Sequence, residues 1–176
     1  MKNVLKLTLA VVCVMFSTSL FAQKIGRINT QEIIINMNEF KEANTQLEAY
    51  AKDLSAQLET IQVEFNNKLQ EYQKAESTMT DAVRQLKEKE LNDLNTRLQE
   101  FNQVAQQELQ KKEQELMEPI QKEAQDAINK VAKANNYIAV FNTAVPSLIY
   151  VDESQLTDIT PLVKKELGIA EKPATK

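Results

Sequence analysis

The chain has 176 residues, a formal charge of −4, no His, no Trp, one Cys, two Gly and four Pro. Such a composition leaves few groups for acid–base, nucleophilic or metal chemistry, and Gly26 and Gly168 stand too far apart to form a phosphate-cradling loop. The acidic balance also argues against nucleic acid, which calls for clustered Lys and Arg.

Residues 1–22 have the layout of a secretory signal peptide. Lys2 and Lys6 precede the apolar run Leu7 to Phe16, and Ser17 to Ala22 ends in Leu-Phe-Ala, which predicts cleavage after Ala22. The run is shorter than the ~20 apolar residues of a membrane span. Ala10-Val11-Val12-Cys13 is a poor lipidation site, because bulky Val12 stands where a small residue is wanted. Cleavage would remove Cys13 with Lys2 and Lys6, leaving a mature chain of formal charge −6 without a thiol.

Lys24 to Thr30 reads as a short strand. Between Arg27 and Glu118 there is neither Gly nor Pro, so the span lacks the usual turn signals of a compact fold. From Glu39 the apolar or small positions are Ala43, Leu47, Tyr50, Leu54, Leu58, Ile61, Phe65, Leu69 and Tyr72. Their spacing repeats every 11 residues, aligning Leu47 with Leu58 and Leu69. An 11-residue repeat advances about 3.67 residues per turn, so the stripe runs nearly straight along a helix.

The pattern fades around Glu76 to Asp81, where Thr78 and Thr80 are both possible N-caps and Thr78 to Asp81 has capping-box spacing. A second stripe follows through Val83, Leu94, Leu98, Phe101, Ala105, Leu109, Leu116 and Ile120, then Ala127 and Val131, with Lys112 interrupting it. Two helices of one period joined by a short polar turn predict an antiparallel hairpin. Pro119 predicts a kink, or a hinge where this arm meets its base.

Tyr137 to Phe141 and Ser147 to Val151 read as strands around a turn at Asn142 to Pro146. Thr160, Pro161 and Gly168 bracket a short helix as N-cap, N1 and terminator. Three strands and one short helix are too little for a stable core. Oligomerisation through a shared sheet is therefore expected, with Ile25, Ile28, Ile138, Val140, Leu148 and Tyr150 as its candidate residues.

The order of these elements resembles the Skp/OmpH family of periplasmic chaperones. The resemblance rests on Lys24-Ile25-Gly26-Arg27-Ile28-Asn29, the charged hairpin, Glu118-Pro119-Ile120, Asn136-Tyr137-Ile138-Ala139-Val140-Phe141 and Asp158-Ile159-Thr160 with Val163, Lys164 and Leu167. It implies a homotrimer in which a small β body carries three helical arms around a cavity. It also implies a periplasmic holdase that binds unfolded outer-membrane proteins without ATP or any cofactor.

The expected fold is thus mainly α with a small β part. Residues 23–38 and 119–169 would form the oligomerisation body, 39–118 the arm with its turn near 77–81, and 170–176 a flexible tail. The family's best-known members are strongly basic, whereas the first helix here, Glu39 to Met79, carries eight acids against four Lys. That charge speaks against direct contact with membrane or lipopolysaccharide. Apolar residues off the seam are the candidate client contacts: Val63 opposite the stripe, Leu86 and Leu91 at its edges, Val104 and Met117 outside it, and Met79 at the tip. A structural coiled-coil scaffold or spacer of the envelope is the alternative. An enzyme is not expected.

Overall fold

The computed structural model describes residues 24–145, 150 and 152–170. The signal-peptide segment, Pro146, Leu148 and residues 171–176 of the tail lie outside them. The chain divides into two compact units. One comprises residues 31–126, and the other joins the N-terminal part up to Thr30 with Ala127 onward.

The 31–126 unit holds most of α1 (Thr30–Asn36), all of α2 (Asn38–Ala75), a 3-10 turn (Glu76–Thr78) and most of α3 (Asp81–Ala134). Helix α2 has 38 residues and is on the order of 57 Å long. Residues 30–36 are helical, although Ile33-Ile34-Ile35 reads as β-branched. Met37 is extended and separates α1 from α2, with its N–H donating to the Ile34 carbonyl at 3.1 Å.

The 11-residue stripe is the seam. Ala43 and Ile61 on α2 and Leu94, Leu98 and Ile120 on α3 are buried, and the other α2 stripe positions are half-buried between exposed residues. Half-burial is what a two-helix seam permits, since each ridge is covered from one side only. The cross-helix pairs Tyr50–Glu108, Tyr72–Glu88, Lys68–Glu90 and Glu64–Arg97 have residue numbers adding to between 158 and 161. A constant sum defines an antiparallel hairpin in one register. Lys112, which interrupts the stripe, is half-buried.

At the turn, Thr80 caps α3: its hydroxyl accepts the Val83 N–H at 3.4 Å and its carbonyl the Arg84 N–H at 2.9 Å. Thr78 does not form the expected capping box, because its hydroxyl donates instead to the Ala75 carbonyl. Pro119 lies within continuous α3, so no junction between helices occurs there, and the Glu115 carbonyl loses the N–H donor that residue 119 would supply.

The second unit is built on a three-stranded sheet in the order β2-β1-β3, with β1 at Lys24–Ile28, β2 at Tyr137–Asn142 and β3 at Thr157–Asp158. Both neighbours run parallel to β1. The strand expected at 147–151 lies outside the described residues except for Tyr150, which belongs to no strand, and the third strand of the described sheet is β3. Gly26 is needed in β1, since a Cβ there would meet Ile159 and Val140 methyls at 3.3 Å. Ile28, Val131, Ile159 and Val163 form the core with Ala127 and Ile128.

Helix α4 (Thr160–Glu166) begins one residue earlier than its sequence signals suggest. Asp158, not Thr160, supplies the side-chain cap: its carboxylate accepts the Thr160 N–H at 2.9 Å. The C-terminus closes with Gly168 N–H donating to the Lys165 carbonyl and Ile169 N–H to Lys164, and with Gly168 at φ 67°. A methyl at Gly168 would meet nothing within 4 Å, so substitution there tests backbone conformation alone. Gly168→Ala is expected to destabilise the protein by about 1–2 kcal/mol in urea unfolding. A change within error of zero would show that the left-handed turn does not terminate α4.

Candidate functional site

The seam consumes one face of each arm helix, so a binding surface has to come from apolar side chains off that face. Val63, Leu86 and Val104 are exposed, Leu86 the most at 65%, while Met79, Leu91 and Met117 are half-buried. The candidates are spread along the hairpin and do not converge on one pocket.

Two of them line open grooves. Leu86 shares a groove of about 530 Å³ with Leu94, Glu64, Glu90, Asp93, Lys89 and Arg97. Met117 lies in another of about 410 Å³ with Glu113, Gln114, Glu118 and Gln121.

Val83 and Ile35 are exposed apolar residues that the periodicity did not separate from the seam. Val83 continues the stripe, but the antiparallel register sets it opposite Glu76, where α2 has already ended. Ile35 sits in the unanticipated α1. The fading of the stripe around Glu76 to Asp81 is the sequence signal that Val83 lacks a seam partner.

Of the candidate body residues, Ile28 is buried in its own unit, Ile25 and Val140 are half-buried, and Ile138 and Tyr150 are exposed, Tyr150 at 85%. Among the described residues β2 pairs with β1 alone, and Arg27 approaches Asp158 at 3.9 Å across the β1–β3 register. A shallow groove beside α4 is lined by Lys130, Val131, Ala134, Leu162, Lys165 and Glu166, and Lys130 pairs with Glu166.

The arm's polar cross-links join carboxylates to tyrosine, lysine and arginine side chains. Tyr72 donates to Glu88 at 2.9 Å and Tyr50 to Glu108 at 3.4 Å. Lys68 and Lys87 both reach Glu90 at 2.9 Å. Hydrogen bonds from these two lysines hold the Glu90 carboxyl low, and the bond to Glu90 raises Lys68. Burial and then Glu108 raise Tyr50, whereas the hydrogen bond to Glu88 is the leading cause for Tyr72.

The chain thus combines a small parallel sheet in one unit with a long antiparallel helical hairpin in the other, and the hairpin displays apolar residues outside its seam. The chain belongs to the family of OmpH-like outer membrane proteins, whose sequence profile matches residues 24–167. Its fold is similar to the crystal structure of an OmpH-like protein from Caulobacter crescentus CB15, described as an outer membrane chaperone. The TM-score is 0.70 at 16% identity, covering 86% of this chain and 88% of that one. No curated protein matches the sequence.

The shifts fix a pH profile for stability. Glu90 is lowered from 4.5, so its contribution is present above that value and is lost as pH falls through the depressed value. Lys68 is raised from 10.5 and the two tyrosines from 10.0, so their contributions are present below those values and lost as pH rises beyond them. The chain has no His, the side chain that ordinarily titrates between these limbs, and its one Cys, Cys13, lies in the segment expected to be cleaved. Thermal midpoints followed by circular dichroism are expected to stay level from about pH 6 to 9 and to fall on both sides. A slope within that window would contradict this assignment.

Proposed function

We propose that this protein is a periplasmic holdase chaperone that binds unfolded outer-membrane proteins between the helical arms of a homotrimer. Membership of the OmpH-like family carries the reading, together with a hairpin displaying apolar side chains outside its seam. Scattered contacts suit a client without fixed shape, because they ask for apolar segments at no defined spacing. The proposed cycle uses no nucleotide.

Trimerisation draws support from the sheet. Three short strands form a small body, and Ile138 and Tyr150 are exposed apolar surface in it. The proposed shared sheet would use Ile25, Ile138, Val140 and Tyr150 as its contact residues, with Leu148 in the adjoining segment. Pro119 is the proposed flexing point of the arm, since its missing hydrogen bond weakens α3 locally. Residues 1–22 would direct export and be removed by cleavage after Ala22.

The mature chain, from Gln23, is expected to suppress aggregation of several urea-unfolded β-barrel proteins at near-stoichiometric ratio without ATP. Light scattering should give the mass of three chains. Aggregation as fast as in buffer would remove the chaperone reading. Tight binding of one folded envelope protein instead would support the scaffold.

A further inference from the structure

Charge is divided unevenly between the two units. Residues 31–126 carry 20 acidic and 11 basic side chains, a formal −9, whereas residues 24–30 and 127–170 carry four acidic and six basic ones, a formal +2. The arm's surplus is not absorbed by pairing. Lys68 and Lys87 are both drawn onto Glu90, and Arg97 lies 3.7 Å from Glu64. Glu59, Glu100 and Glu113 make no ion pair or hydrogen bond among the described residues.

Those unpaired carboxylates stand beside off-seam apolar residues. Residues four apart share a helix face about one turn from each other. Val63 has Glu59 at that spacing, Val104 has Glu100, and Met117 has Glu113. Among its lining side chains the Met117 groove offers a thioether, two carboxylates and two amides, and no cation. An aliphatic or aromatic side chain could rest on Met117 or Val104 while a neighbouring Lys or Arg reaches the carboxylate one turn away. A carboxylate-rich segment would meet repulsion at the same places.

We propose that the arm selects unfolded segments in which apolar residues alternate with Lys or Arg, the off-seam residues Val63, Val104 and Met117 each forming one contact unit with the unpaired carboxylate one turn away. This selectivity rests on the chaperone reading and names the client chemistry of the same surface. The contacts are exposed, so salt screens them: the Debye length is ≈ 10 Å at 0.1 M and about 3 Å at 1 M.

The test uses two unstructured fluorescent peptides with identical apolar positions and either Lys or Glu at every intervening position. Anisotropy with the full mature protein is expected to show at least about tenfold tighter binding of the Lys peptide at 20 mM salt, narrowing to about twofold at 0.5 M. The triple variant Glu59→Gln, Glu100→Gln and Glu113→Gln is expected to lose most of that preference while keeping its helical circular dichroism, since Gln and Glu have similar helix propensity. Equal binding of both peptides, tighter binding of the Glu peptide, or an undiminished preference in the triple variant would overturn the proposal. Aggregation of unfolded β-barrel proteins run alongside separates the two levels. Suppression without charge preference sinks only the selectivity, whereas no suppression and no binding of either peptide sinks both.

Discussion

The parallel pairing of β1 is the constraint on which the second unit depends. Residues 24–28 receive β2 from residues 137–142 on one side and β3 from residues 157–158 on the other. Parallel neighbours cannot be joined by a tight turn, so the chain must leave β1 and return by a crossover. Here the whole hairpin lies within that crossover. The entropy of closing so long a connection grows only slowly with its length, and the hairpin's own seam already brings its two ends back together. Gly26 keeps the centre of the sheet narrow, and Ile159 closes over it from the turn leading into α4.

A two-helix seam has its own limit. Each arm helix buries one stripe and exposes the rest, so stability comes from many half-buried residues and a few cross-links such as Tyr72–Glu88. Exposed ion pairs add little individually, and the regular register matters more than any one of them. The same geometry leaves most of the surface open to carry a different property. On this chain it carries surplus negative charge interleaved with isolated apolar residues.

The hairpin was legible because its signal is periodic and long. Leu47, Leu58 and Leu69 fix a repeat that random apolar placement does not imitate, and the lack of Gly and Pro removes competing turns. Elements set by tertiary pairing were harder to read. Strand β3 is two polar residues, Thr157 and Asp158, made a strand by β1 and not by their own preference. Helix α1 contains three consecutive isoleucines whose branching favours a strand, yet Ile33 is fully buried in helical form. Off-seam positions such as Val63 and Val104 followed directly from the period. Val83 did not, because its exposure depends on where the opposing helix stops.

The constant register sum of the hairpin has a further consequence for how such proteins vary in size. Because the stripe repeats every 11 residues, adding or removing one repeat from both helices together preserves every facing pair beyond the change. Each such step would alter arm length by about 16 Å. The sheet, whose strands β1 and β2 are linked in sequence through the hairpin, would keep its strand order. Reach and anchorage are therefore separable quantities in this architecture, and natural or engineered variants can scale one in whole repeats without redesigning the other.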